Sequence, residues 1–171
     1  MDFMELAKDR FSVRKFSDKA IEPEKLDRII EAGMAAPTAK NLQPVRIYVM
    51  KSDEAMQKMN DLTRCIFGAP VALLVCYNEK EAWHSPFNEE YDSGEMDASI
   101  ILTHMMLEAW EQGIGSCWVG LFDHNEAAKV FGLPEEIKPV AVMPLGYAAE
   151  GAQPSPMHTT YRDRDELIIE M

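Results

Sequence analysis

Met96-Asp97-Ala98-Ser99-Ile100-Ile101-Leu102-Thr103-His104-Met105-Met106-Leu107-Glu108-Ala109-Trp110-Glu111-Gln112 is the most helical stretch of the chain, and its faces decide how the rest can fold. Ile100, Ile101, Leu102, Met105, Met106, Leu107 and Ala109 nearly encircle it, which predicts a helix buried almost all round. Gly113 ends it as a C-terminal cap. In a chain of 171 residues, a helix with no free polar face asks for cover from a second chain as well as from its own sheet.

Upstream of this helix, Ala69–Tyr77 is an apolar run rich in β-formers, the pattern of a central strand buried on both faces. Residues 78–95 between them are polar, with His84, Pro86 and Gly94, and predict a long loop of the kind that serves as a functional cover or mobile segment. Nearer the start, Asp2 caps a short predicted helix with Phe3, Leu6, Ala7 and Arg10 at helical spacing, and Phe11–Phe16 reads as extended. A second helix starts at Pro23, buries a stripe of Leu26, Ile29, Ile30 and Met34, and stops before Pro37. Val45–Met50 predicts a strand, and Ser52 caps a helix through about Leu62.

Downstream, Ser116–Gly120 and Val140–Leu145 predict strands. Asp123 caps a helix carrying Ala127, Ala128, Val130 and Phe131, closed by Gly132. A polar run then leads to a last apolar patch, Leu167, Ile168 and Ile169, which needs something to pack on; a neighbouring subunit is one candidate. Helices and strands mix without strict alternation, which predicts one α+β domain over residues 1–171.

Composition narrows the function. Apolar residues make up 47% and charged residues 27%, the balance of a globular chain rather than a disordered one. The net charge of −12 repels nucleic acid and anionic lipid, so neither is an expected partner. No apolar run is long enough for a membrane span, and the first residues lack the pattern of a signal peptide, which predicts a cytoplasmic protein. Cys65, Cys76 and Cys117 are odd in number and widely spaced, against a disulfide framework or a structural zinc site. His84, His104, His124 and His158 show no metal-ligand spacing.

Four constellations stand out from this background. In Arg10-Phe11-Ser12-Val13-Arg14, an extended backbone turns Arg10, Ser12 and Arg14 one way and Phe11 and Val13 the other. Two guanidiniums beside a hydroxyl can grip a phosphate, or can form a solvated basic strand. Ala36-Pro37-Thr38-Ala39-Lys40-Asn41-Leu42-Gln43-Pro44 places a hydroxyl, a lysine and two amides on a loop stiffened by proline at both ends. Such amides can read a heterocycle edge, or can serve the turn between helix and strand. In Gly113-Ile114-Gly115-Ser116-Cys117-Trp118-Val119-Gly120 the glycines allow close backbone approach, while Trp118 reads best as core. The last is Pro144-Leu145-Gly146-Tyr147 at a strand end, with Arg162 and Arg164 beyond it, which either complete an anion site or are solvated among acidic neighbours.

The ordered set, Arg-x-Ser-x-Arg, Ala-Pro-Thr-Ala-x-Asn-x-Gln-Pro, Gly-x-Gly-Ser-Cys-Trp-Val-Gly and Pro-Leu-Gly-Tyr, resembles the nitroreductase family of flavoproteins, in particular its short members. The resemblance runs from Glu5 to about Ile169. It implies an α+β nitroreductase-like fold with a central, mostly antiparallel sheet flanked by helices, in an intertwined homodimer that binds FMN at the subunit interface. Arg10 would then bind the FMN phosphate with help from Ser12, and Arg14 would lie toward the pyrimidine edge. Pro37, Thr38, Lys40, Asn41 and Gln43 would face the cofactor from the partner chain, Pro144, Leu145 and Gly146 would pack by the ring, and Arg162 and Arg164 would close on the phosphate.

The activity implied is ping-pong electron transfer from NADH or NADPH, through FMN, to a nitroaromatic, quinone or similar small acceptor. Two departures from the family pattern are visible. Val45 stands where many members carry an aromatic after Gln-Pro, and residues 78–95, which help shape the substrate pocket in this family, match no firm pattern. A flavin-binding storage or sensor module, or a specialised branch such as a reductive dehalogenase, would use the same residues. Rapid mixing with NADH separates the first alternative, and product analysis the second.

Overall fold

The apolar run at 69–77 becomes β2, Val71–Asn78, whose residues are buried as far as Tyr77. In the computed structural model, which describes residues 2–88 and 90–171, β2 is an inner strand. Met1 and Glu89, the latter within the 78–95 segment, lie outside the described residues. β1 (Val45–Met50) pairs antiparallel with one edge of β2 and β4 (Ile137–Gly146) with the other. β3 (Gly115–Ser116) extends the sheet beyond β4, in the order β1-β2-β4-β3.

Side chains alternate along a strand, so β2 feeds two cores at once. Leu73 and Val75 pack with Ile29, Ile101, Leu102, Met105, Met143 and Leu145 beneath α2 (Pro23–Met34) and α4 (Gly94–Glu111). Ala72, Leu74 and Cys76 pack on the other face with Val13, Met59, Ile66 and Val142, where α3 (Asp53–Leu62) lies. The predicted α+β arrangement of an antiparallel sheet between helices is what forms. Its buried β2 shows that an antiparallel strand loses its polar face when both sides of the sheet are covered.

Local chemistry sets the helix ends much as the sequence predicts. Asp2 accepts the Glu5 N–H and the Glu5 side chain accepts the Asp2 N–H, a reciprocal cap on α1 (Phe3–Asp9). Ser52 caps α3, and Asp123 caps α5 (His124–Val130), which packs on β4. α4 closes at Gly113, where Ile114 N–H reaches Ala109 O and Gly113 N–H reaches Trp110 O.

Four expectations need correction. Met34 is 75% exposed rather than core, because Gly33 takes the inward position beside Ile29. α4 begins at Gly94, and within one chain it is not buried all round: Met96 is 51% exposed and Ile100, Met106 and Leu107 are half-buried. The predicted strand 116–120 shrinks to Gly115–Ser116 plus an isolated bridge from Val119 to Val142. Conversely β4 runs from Ile137 to Gly146, longer than the predicted 140–145.

Gly94 sits where β2 and α4 touch. A Cβ built there would lie 1.9 Å from the ring of Tyr77, itself buried, so any side chain must displace that ring. Gly94→Ala is expected to destabilise by about 1–3 kcal/mol through overpacking, measurable as a fall in Tm of several degrees. An unchanged Tm would mean that the contact is slack.

Beyond β4 the chain returns along the extended N-terminal segment. Phe16 bridges Ala148, Ala149 N–H donates to Lys15 O, and Lys15 Nζ donates to Glu150 O. From Thr159 onward every residue is exposed, including the short α6 (Arg164–Leu167) and the patch Leu167, Ile168 and Ile169. That patch finds no cover on its own chain. Among the described residues no helix is long and apolar enough to cross a membrane.

Candidate functional site

Arg10 ends α1 in an extended conformation and starts the segment that carries the first constellation. Val13 is fully buried and its N–H donates to Ser116 O at 2.9 Å, while Arg10 and Ser12 are half-buried and Arg14 exposed. The predicted alternation holds for Val13 but not for Phe11, which is half-buried and reaches the same groove as Arg10, Ser12 and Arg14. The two arginines, Phe11 and Ser12 line a groove of about 280 Å³ closed on its far side by Ser155, Met157 and His158. A ring nitrogen of His158 lies 3.0 Å from Lys8 O, and the ring stacks edge-on to Phe11, which holds this lip in place.

Electrostatics set the groove apart. Acidic residues outnumber basic ones by 29 to 17, yet among the described residues neither Arg10 nor Arg14 forms an ion pair. Arg14 makes one long hydrogen bond, Nη1 to Ser12 O at 3.4 Å. Two guanidiniums left without carboxylates in so acidic a protein make a local positive site suited to an anion.

Three of the four constellations converge here. Gly115 pairs with Gly146 and Ser116 with Leu145, while Ser12 bridges Ser116. A Cβ on Gly115 would fall 2.6 Å from Val13 Cγ2, so a side chain there would push the arginine segment off the sheet. Pro144, Leu145 and Gly146 lie inside the sheet between β2 and β3 and are buried, with the Leu145 side chain in the core. Within one chain they are joined to the arginine segment through β3, which lies between them, and they are not a free surface.

The fourth constellation lies apart. Thr38 and Gln43 line a different pocket of about 220 Å³ with Gly33, Met34, Ala36, Val45, Ile47 and Ile101, which shares no residue with the arginine groove. Pro37, Lys40, Asn41 and Gln43 are exposed. Lys40, Asn41 and Gln43 adopt φ of 51°, 56° and 52°. For residues with a Cβ this left-handed backbone costs roughly 1–2 kcal/mol each, less for Asn. Thr38 Oγ1 accepts the Gln43 N–H at 3.1 Å and so ties the two ends of the turn.

Arg162 pairs with Glu166 at 3.3 Å and Arg164 is exposed; neither lines the groove of its own chain. Trp118, read from sequence as core, is 45% exposed, because the backbone beyond β3 turns it outward while Cys117 and Val119 take the inward positions. Nothing in the sequence assigns Ser155 and His158 to this groove. Their signal was absent, since only the return of the chain after β4 brings them to Arg10. Burial pushes the Cys76 thiol up to about 12 and raises Cys117 as well, so neither is poised as a nucleophile.

With this geometry in view, comparison with known proteins decides the lineage. The Nitroreductase family model matches residues 7–67 and 64–147. The chain belongs to the nitroreductase family. A nitroreductase family protein of Clostridium difficile 630 superposes with a TM-score of 0.93 at 34% identity, covering 99% of this chain and 98% of that one. A protein of Methanothermobacter thermautotrophicus, whose name pairs NADH dehydrogenase with NAD(P)H nitroreductase, is 30% identical over 88% of this chain and 79% of its own length. A structure from Desulfovibrio desulfuricans solved in complex with FMN has a TM-score of 0.79 at 25% identity, covering 98% and 95% of the two chains.

Proposed function

We propose that this nitroreductase-family chain is an FMN-dependent oxidoreductase, a homodimer drawing electrons from NAD(P)H and passing them to a small acceptor such as a nitroaromatic or quinone. The observation that carries this reading is the groove of Arg10, Ser12 and Arg14, whose two guanidiniums have no acidic partner among the described residues. Its donor set fits a phosphate: two forked guanidiniums and a hydroxyl, on a segment fixed to the sheet by Val13. FMN, when bound, supplies the redox chemistry; the protein supplies binding, orientation and charge.

Within this reading Arg10 and Ser12 hold the phosphate and Arg14 places positive charge toward the pyrimidine edge. Pro37, Thr38, Lys40, Asn41 and Gln43 act from the partner; within one chain Thr38 and Gln43 line a separate pocket and Pro37, Lys40 and Asn41 are exposed. Arg162 and Arg164, on the exposed terminal arm, close the site. Pro144, Leu145 and Gly146 are joined to the arginine segment through Gly115 and Ser116.

The chain has no Gly-x-Gly-x-x-Gly fingerprint for an extended dinucleotide, and its arginines suit a terminal phosphate. Ligand released by heat from the purified protein is therefore expected to have the mass of FMN. Recovery of FAD, or failure to take up any flavin on reconstitution, would refute the assignment. Anaerobic titration with NADH and NADPH then tests turnover, and bleaching of the flavin absorbance by at least one of them is the expected result.

A further inference from the structure

Among the described residues, Asp97 is the one buried carboxylate, 2% exposed, and it lies in the first turn of α4. Both of its oxygens are used. Oδ1 accepts the Ala39 N–H at 2.9 Å, and Oδ2 accepts the Ser93 hydroxyl at 2.7 Å. Ser93, also 2% exposed, accepts the Trp83 N–H on its Oγ at 3.2 Å and donates its own N–H to Trp83 O at 2.9 Å. A continuous chain of hydrogen bonds thus runs from the 37–44 loop, through Asp97 and Ser93, to Trp83 in the 78–95 segment.

A buried carboxylate is costly where apolar packing would serve, so its presence calls for a polar reason. The loop supplies one. Three of the four residues 40–43 hold left-handed backbone, a shape that persists only when its surroundings over-determine it. Between Thr38 and Gln43 the remaining hydrogen bonds stay within the loop or reach the adjacent Arg46. Among the described residues, the bond from Ala39 to Asp97 is the one that ties this turn to a distant element.

We propose that Asp97 is a positioning residue: through Ala39 it holds Thr38–Gln43 in the shape that presents their side chains, and through Ser93 it couples that loop to Trp83 in the connection between β2 and α4. The consequence for flavin binding rests on the functional reading above; the coupling itself does not.

Hydrogen exchange on the full chain, without and with FMN, tests this. Asp97→Ala is expected to speed exchange of the Asn41, Leu42 and Gln43 amides by roughly tenfold or more, and to weaken FMN binding by about tenfold. Asp97→Asn should restore both, because an amide oxygen can still accept from Ala39. Ser93→Ala should leave FMN affinity unchanged, speed exchange at Trp83, and raise KM for a quinone acceptor without lowering kcat. Met59→Ala, in the opposite core, is the control for general loss of stability.

If Asp97→Ala does not fold, Ser93→Ala decides by its effect at Trp83 and on KM. Exchange at 41–43 rising no more in Asp97→Ala than in Met59→Ala would overturn the proposal, as would wild-type KM and wild-type exchange at Trp83 in Ser93→Ala. Failure of the wild-type protein to bind FMN would bring down the functional reading instead, leaving the exchange comparison intact.

Discussion

Arg10→Ala is expected to lose about ten- to a hundred-fold in affinity for FMN. A hydrogen bond to a charged group is worth ~1.5–3 kcal/mol, and each 1.4 kcal/mol is a factor of ten in Kd. Arg10 is placed to realise that value: half-buried at the end of α1, in a groove shared with Ser12 and Arg14, with no acidic side chain to divert it among the described residues. Arg162→Ala should act in the same direction but less severely, since Arg162 sits on an exposed arm and already has Glu166 as a partner. Isothermal titration of the flavin-free protein measures both. Unchanged affinity in Arg10→Ala would show that the phosphate binds elsewhere.

The other large effect concerns the terminal arm. Leu167, Ile168 and Ile169 are 62%, 51% and 80% exposed, and nothing on their own chain covers them. At about 25 cal/mol per Å² of apolar surface, leaving such a patch in water forfeits several kcal/mol in all, a strong reason for it to seek a second chain. The half-buried side of α4 and the exposed Met34 and Met96 are further apolar surface left open on the single chain. Deleting residues 165–171 is therefore expected to raise the dimer dissociation constant and speed FMN loss together, because the arm carries Arg162 and Arg164 into place. The truncated protein should also gain less thermal stability from added FMN than the full chain, for which saturation at a hundred times Kd adds ~2.7 kcal/mol. Loss of flavin with assembly intact would separate the two roles and contradict the account.

The sequence carried the layers of this fold well. Alternation and apolar runs placed β1, β2 and β4, and the caps at Asp2, Ser52 and Asp123 placed three helix starts within a residue. These are local signals, and they survive because packing agrees with them. Met34 and Trp118 depart from expectation for a shared reason: residue type points large apolar side chains inward, but the inward position belongs to Gly33 in one case and to Cys117 and Val119 in the other.

The site was legible in part. The spacing Arg10, Ser12, Arg14 predicts a shared groove, and all three line one, though Phe11, expected on the opposite face, lines it as well. The meeting of that segment with Gly115–Ser116 and Leu145–Gly146 depends on strand pairing across about a hundred residues, which periodicity does not report. Nor does it report the Asp97–Ala39 bond, since nothing in the spacing of an acidic residue on an apolar helix says which loop it will hold. Thr38 and Gln43 line one pocket and the arginines another with no residue in common, which is why the proposed shared site draws on a second copy.

That is the central claim, an obligate dimer whose flavin site is shared between chains. An interface of this kind buries roughly 2,000–5,000 Å² or more, so association should persist well below micromolar concentration. Sedimentation of the FMN-loaded protein at sub-micromolar concentration, followed at the flavin absorbance, measures it most directly. A single flavin-bearing species at the dimer mass is expected, with no flavin on any lighter species. A folded monomer that still holds one FMN would contradict it.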